Sequence, residues 1–304
     1  MPKTENRKFD LGITWNWEHD REFVYQINNA CLQYGLRPYI IHHYNLSETI
    51  RSIKEKLLNF RIIFDRASDT DHRFSEVVNA AQEENTSFIN HPDFVKKAID
   101  KILFHIEIVK HGIPVPPTFI YYPTDSVDTL NFKLRQLGTP VVMKPADGID
   151  GGGVGVLLNA QAIEDIIHWH NHHRNMVFLL QKQIFPQMLL KKPAWFRVFY
   201  CLGKTIPCWW DPATHIYEII PKDKIKEYRL KKINALTREI AKLSKLGFFS
   251  TEITIDKKGK ILVIDYINDQ CDMRRKSVFY DGVPDEIVNE IVSIFISYIK
   301  KTSS

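Results

Sequence analysis

Between residues 9 and 89, strand-length apolar runs alternate with stretches of helical periodicity, and this alternation limits the fold more than any other feature of the chain. Phe9–Trp15, Pro38–His43, Arg61–Phe64 and Thr86–Ile89 read as strands. Arg21–Tyr34, Ser47–Leu58 and Phe74–Glu84 read as helices. Gly35 suits a helix C-cap and Ser47 an N-cap, with Ile50, Ile53 and Leu57 on one helical face. A helix between each pair of strands implies crossovers, and so a parallel, doubly wound sheet. Such sheets bind ligands beyond the carboxyl ends of their strands. There the chain carries Trp15-Asn16-Trp17, His42-His43 and Asp65-Arg66. Arg66 reads two ways: a bidentate clamp for a substrate carboxylate, or the partner of Asp65, Asp69 or Asp71.

The pattern then changes. Pro92 stands near the first turn of a helix expected to run to His111 and end at Gly112. Pro114, Pro116 and Pro117 exclude both helix and central strand and mark a linker. Beyond it come strand Thr118–Tyr122, helix Val127–Leu137, strand Pro140–Lys144, helix Ala162–His173 and strand Val177–Lys182. A strand pair follows (Trp195–Leu202 and Thr205–Trp210), then helix Leu230–Lys245 and a closing hairpin over Thr251–Ile267. The expected class is α/β followed by α+β. The 304 residues suit about two domains at roughly 150 residues each.

Two segments carry chemistry. Strand Val141-Val142-Met143-Lys144 delivers a lysine to Pro145 and then to a run with Gly148, Gly151, Gly152, Gly153 and Gly155. Glycine lets backbone N–H groups wrap phosphate oxygens, and lysine adds a point charge. The lysine precedes the glycines, so this is no Walker motif, and no helix opens directly from them as in a dinucleotide fingerprint. In the closing hairpin, a turn on Lys258-Gly259 pairs Lys257 with Lys260, Ile253 with Ile264, and Glu252 with Asp265. Two carboxylates facing each other across a hairpin repel unless a cation such as Mg²⁺ sits between them, and Asn268 adds a neutral oxygen nearby. The run Phe178–Ile184 is either an ordinary buried strand or a hinge whose backbone meets an adenine edge.

Composition excludes several classes. A net charge of +5, from 41 basic and 36 acidic residues, suits anionic small molecules and does not argue for nucleic acid. No apolar run approaches the roughly 18 residues of a membrane span. The opening MPKTENRK offers no apolar signal core, and Cys31, Cys201, Cys208 and Cys271 show no CxxC spacing. The expectation is a cytoplasmic protein with reduced thiols.

Together these segments resemble the ATP-grasp superfamily over about residues 88–275. Asn90-His91-Pro92, Asp100-Lys101 and Gly112–Pro116 are similar to its entry segment, and the alternating part to the domain that precedes it. The resemblance implies a pre-ATP-grasp domain over 1–91 and an ATP-grasp domain over 92–304, with a smaller lid subdomain at about 118–185. It implies ATP and Mg²⁺ as cofactors. Lys101 and Lys144 would contact phosphates under a lid of Gly148, Gly151, Gly152 and Gly153. Lys182 and Ile184 would bond adenine through their backbones beside Gln181. Glu252, Asp265 and Asn268 would hold the metal, and Arg197 would lie at the transferring phosphoryl group. Arg274 and Arg275 would either line the acceptor side and hold an anion or form surface salt bridges, and Arg66 is a third candidate cation for a small carboxylate substrate.

The chain departs from the family pattern at four points. Glu252 stands where Asp is usual, and two residues separate Asp265 from Asn268 where one is usual, which calls for a bulge or strand end after Tyr266. Trp195 replaces an acid, and the Arg-x-Asn and Gly-Gly element of the amino-acid ligases has no clear match between Trp209 and Tyr228. The expected activity is a ligase that makes an acyl phosphate for attack by an amine or other nucleophile. A kinase acting on a hydroxyl and a non-catalytic ATP-binding regulator stay open, as does a homodimer.

Overall fold

The computed structural model describes residues 6–146, 158–160, 164–166, 168 and 177–302. Gly148, Gly151, Gly152 and Gly153, and most of the helix expected over 162–173, lie outside the described residues.

The first ninety residues form a parallel sheet in the order β2-β1-β3-β4, with β1 at Arg7–Thr14, β2 at Pro38–Ile41, β3 at Leu58–Phe64 and β4 at Ser87–Ile89. Helix α1 (Arg21–Gln33) covers one face. Helices α2 (Leu46–Lys54) and α3 (Ser75–Gln82) cover the other, through Leu46, Ile53, Phe74 and Val77. Gly35, at φ +72°, makes the left-handed turn that ends α1.

The helix expected from Pro92 to His111 is two helices, α4 (Pro92–Ile99) and α5 (Lys101–Lys110). Asp100 is extended, and its carboxylate accepts the Ile102 and Leu103 N–H groups at 3.0 and 2.9 Å. An Asp that caps the next turn so well ends the helix before it. The break puts Lys101 at a helix start, where its N–H reaches the Ala146 carbonyl at 3.4 Å.

A four-stranded antiparallel sheet follows, in the order β5-β8-β6-β7: β5 at Thr118–Tyr121, β6 at Val141–Pro145, β7 at Leu158–Ala160 and β8 at Phe178–Lys182. It packs on α6 (Val127–Leu137) through its own small core of Tyr121, Leu130, Leu134, Met143 and Phe178. After the short pair β9 (Met188–Leu189) and β10 (Lys192–Pro193) comes a five-stranded antiparallel sheet. Its order is β13-β12-β11-β14-β15, from β11 (Trp195–Cys201), β12 (Lys204–Trp210), β13 (Tyr217–Ile219), β14 (Phe248–Ile255) and β15 (Ile261–Asn268). Helix α7 (Leu230–Ser244), with α4 and α5, covers one face over Phe196, Val198, Phe249 and Ile253.

The alternation of strand side chains sends Arg197, Phe199 and Cys201 of β11, and Phe248 and Glu252 of β14, to the opposite face. At one end that face is core. Helix α8 (Asp285–Lys301), which the sequence reading did not anticipate, returns to lie against α1. There Phe23, Phe64, Phe248 and Phe295 form a four-ring cluster with every centroid separation between 4.8 and 6.4 Å. Two rings belong to the parallel-sheet unit, one to the five-stranded sheet and one to α8.

Phe295→Ala is expected to destabilise the whole chain by about 3–5 kcal/mol in a single cooperative urea transition. A loss below about 1 kcal/mol, or two separate transitions, would mean that the units do not share this core.

Candidate active site

The other end of the same sheet face carries a row of charge. Arg197 pairs in register with Glu252, and Glu252 with Asp265. The Glu252–Asp265 pairing follows from two deviations that cancel. The turn is longer than expected: Asp256 N–H reaches the Lys260 carbonyl at 2.9 Å, and Ile255 pairs with Ile261. Ile253 therefore faces Val263, not Ile264. An extra residue at Ile264 then restores the register at Glu252–Asp265, and a second shift brings Asn268 opposite Ser250. This is the irregularity that the spacing of Asp265 and Asn268 requires.

The bulge has a chemical use. The Ile264 carbonyl accepts a hydrogen bond from Lys144 Nζ. Lys144 is 5% exposed at the end of β6. Burial pushes its pKa down, while Asp265 and then Glu252 pull it up, and Lys101 adds to the lowering. The two lysines and the two carboxylates thus act on one another within one low-dielectric volume. His105, one turn beyond Lys101 on α5, lies in the same volume. Burial and then the Lys144 charge push its pKa down, and its Nδ1 lies 2.6 Å from the Tyr266 hydroxyl. Burial pushes the pKa of the Tyr266 hydroxyl up and the Gln181 side chain acts to lower it, and Gln181 Nε2 donates to Thr118 Oγ1 at 3.2 Å. Gln181 thus joins the small sheet to the large one. Sequence reasoning missed His105 and Tyr266. The i, i+4 spacing of Lys101 and His105 was the available signal for His105.

Glu252 is held firmly. Arg197 Nη2 donates to Oε1, and Trp195 Nε1 donates to Oε2 at 3.1 Å. Trp195, which replaces an acid of the family pattern, thus supplies a donor to Glu252. Arg197 also donates from Nη1 to the Tyr217 hydroxyl at 3.0 Å and lies 4.3 Å from the Trp210 ring centre. Burial alone would push its pKa down, but Glu252 and Tyr217 together more than offset this. Its buried Nε has no hydrogen-bond partner among the described residues.

At the hinge, the Lys182 N–H donates to the Pro117 carbonyl at 2.9 Å and Gln183 N–H to Pro140 at 3.3 Å. The Ile184 N–H has no partner among the described residues. Mg²⁺ usually takes one or two carboxylates and fills its octahedron with water and phosphate. Asp265 and Glu252 with Asn268 fit that donor set, although no group of three or more His, Cys, Asp or Glu arranged to hold a metal occurs among the described residues.

The three arginines expected to clamp a substrate are engaged elsewhere. Arg66 is 3% exposed, and its Nε and Nη2 donate to the two Asp20 oxygens at 2.7 Å each. Its Nη2 also reaches the Cys271 carbonyl at 2.9 Å. Its partner is none of the three aspartates weighed from sequence, because α1 brings Asp20 over the strand end. Arg274 pairs with Asp272 and Asp281, and Arg275 with Asp285. Arg66 is thus buried and ion-paired, and its Nη1 has no hydrogen-bond partner among the described residues.

No protein-family model matches the chain. Over 96 residues it is 29% identical to N-acetylaspartylglutamate synthase A of Homo sapiens, a stretch covering 32% of this chain and 24% of that one. Over 102 residues it is 26% identical to beta-citrylglutamate synthase B of Danio rerio, covering 34% and 25%. The chain thus matches about a quarter of the length of these curated relatives. Similarity among solved structures is global. A RimK domain ATP-grasp protein from Sphaerobacter thermophilus superposes with TM-score 0.65 at 15% identity, covering 93% of this chain and 98% of that one. The ATP-grasp ligase PsnB, complexed with a minimal precursor, gives 0.64 at 14% identity over 97% and 99%. The D-alanine–D-alanine ligase of Bacillus anthracis, complexed with ATP, gives 0.62 at 14% identity over 97% and 99%. The fold is the ATP-grasp fold.

Asp20→Asn should cost about 3–5 kcal/mol in urea denaturation, because it leaves Arg66 charged and buried without its anion. Glu84→Gln, at the exposed Lys56–Glu84 pair (3.5 Å), should cost under about 1 kcal/mol. Equal costs for the two variants would return Arg66 to the substrate clamp.

Proposed function

We propose that the chain is an ATP- and Mg²⁺-dependent ligase that converts a carboxylate into an acyl phosphate for attack by an amine or other nucleophile. One observation carries this reading: buried Lys144, near the end of the strand that precedes the glycine run in sequence, donates to the Ile264 carbonyl next to Asp265, and Asp265 is paired in register with Glu252. A buried lysine beside two paired carboxylates suits a metal-bound triphosphate.

In this reading Lys101 and Lys144 hold phosphate oxygens, and the α5 N-terminus adds its dipole. The Ile184 N–H and the Lys182 backbone meet adenine, with Gln181 fixing the hinge. Asp265, Glu252 and Asn268 hold Mg²⁺, which when bound neutralises charge on the phosphates. Arg197, anchored by Glu252, places its positive charge near the phosphoryl group. A carboxylate oxygen of the substrate attacks the γ-phosphorus and ADP leaves. The nucleophile then attacks the acyl carbon, inorganic phosphate leaves, and the nucleophile gives up a proton. No side-chain nucleophile is required. All four cysteines are buried, and burial holds each thiol well above its ordinary pKa. The D-alanine–D-alanine ligase complexed with ATP and the PsnB complex with Mg and ADP share this fold and support the reading.

Lys144→Ala is expected to weaken Mg-ATP binding at least about tenfold, the scale of one charge-assisted contact. Titration calorimetry reads this directly, and unchanged affinity would remove Lys144 from the phosphates. With a screened carboxylate, ATP and hydroxylamine, the expected product is a hydroxamate with stoichiometric ADP. A stable phosphomonoester would make the chain a kinase instead. Glu252→Ala and Asp265→Ala should each abolish ADP release, and added chelator should abolish it in the unmodified protein.

A further inference from the structure

We propose that the aromatic and histidine rim over the carboxyl ends of β1 and β2 is a substrate subsite, and that it takes a planar, uncharged side group and not a second carboxylate. The proposal rests on the ligase reading only in assuming that the activated carboxylate lies at the phosphoryl end.

Trp15, 5% exposed and part of the core, is the floor on which the rim rests. Its ring lies 4.4 Å from His42, which lies 4.0 Å from His43 and 4.9 Å from Tyr44. On its other side Trp15 meets Tyr25 edge-on at 5.9 Å, and Arg21 stands over Tyr25 at 5.9 Å. Trp15 Nε1 donates to the Trp17 carbonyl at 2.7 Å. From Trp17 a second series runs through His19 at 5.1 Å to Phe279 at a further 5.5 Å, with Arg274 over the Phe279 ring.

This row spans the junction of the two units. The segment after Asn268 is bonded to the strand ends, since Gln270 Nε2 donates to the Asp65 carbonyl at 3.4 Å and Arg66 to that of Cys271. The segment after Asn268 is thereby tied to the end of β3. Trp17 is 38% exposed and Tyr44 70%, so neither is needed to fill the core. His42 is nearly buried, yet its Nδ1 has no partner among the described residues. Burial, and then His43, push its pKa down. At neutral pH the rim therefore offers an uncharged ring nitrogen within a run of ring faces.

Charge decides the ligand class. Arg66, Arg274 and Arg275 are each paired with aspartates, Arg21 is held over the Tyr25 ring, and the Glu18 carboxylate acts on His42. A second carboxylate beside His42 would lose water and meet the Glu18 carboxylate, with Arg21 committed to the Tyr25 ring, whereas a planar group would stack.

The test uses the full chain with Mg²⁺ and a non-hydrolysable ATP analogue, and compares N-acetyl-phenylalanine with N-acetylaspartate by calorimetry. N-acetyl-phenylalanine should bind at least tenfold more tightly. Trp17→Ala and Tyr44→Ala should each weaken it three- to tenfold, and Trp17→Phe should restore most of the loss, with analogue affinity unchanged throughout. Tighter or equal binding of N-acetylaspartate, no binding of either probe, or insensitivity to both alanine variants would overturn the proposal. Ring-dependent binding, with no ADP released when ATP and hydroxylamine replace the analogue in a separate assay, would count against the ligase reading and leave this one standing.

Discussion

Four phenylalanine rings decide how this molecule holds together. Phe23 and Phe64 come from the parallel-sheet unit, Phe248 from the start of β14 and Phe295 from α8. Because they interlock, the parallel sheet cannot shift relative to the five-stranded sheet without opening the core. Close packing tolerates few intermediate positions, so the strand ends of one unit are held in place over the charged face of the other. Arg66 rests over the Phe23 and Phe64 rings at 5.9 and 5.8 Å and ties down Asp20 and the Cys271 carbonyl. Of the two readings the sequence allows for Arg66, the ion pair is the one formed here, with Asp20 as the partner.

The same sheet face explains how the site withstands its own charge. Between the ring cluster and the charged end, β11 and β14 continue without interruption. Arg197 and Glu252 neutralise each other in register, and Lys144 is set against Asp265 and Glu252. A buried lysine and two facing carboxylates would each be unfavourable alone, and together they compensate. The balance leaves Asp265 as the carboxylate that accepts no side-chain hydrogen bond among the described residues, which suits it to a cation.

Much of this was legible beforehand because local periodicity carries it. The alternating first ninety residues, Lys144 at a strand end and the facing acids of the hairpin all survive in the fold. Glu252 and Asp265 were matched by counting from a turn that proved longer than expected, and the match held because Ile264 bulges. What could not be read is what depends on distant chain. Nothing near Arg66 announces Asp20, 46 positions away. Nothing near Lys144 announces the Ile264 carbonyl, 120 positions away. The break at Asp100 was hidden by helix-forming neighbours, since an N-cap inside a helical pattern looks like any other polar residue.

Helix α8 has a consequence for how the chain reaches this state. Arg61 of β3 donates to the Ile299 carbonyl across 238 positions. Until α8 has been synthesised, the parallel sheet leaves the ribosome with Phe23 and Phe64 covered on one side only. During translation the nascent unit therefore presents an oily face for as long as the intervening residues take to emerge. Loop-closure entropy makes the final docking slow, and that interval is when a chaperone, or a second nascent chain, has access to the rings that later become the centre of the molecule.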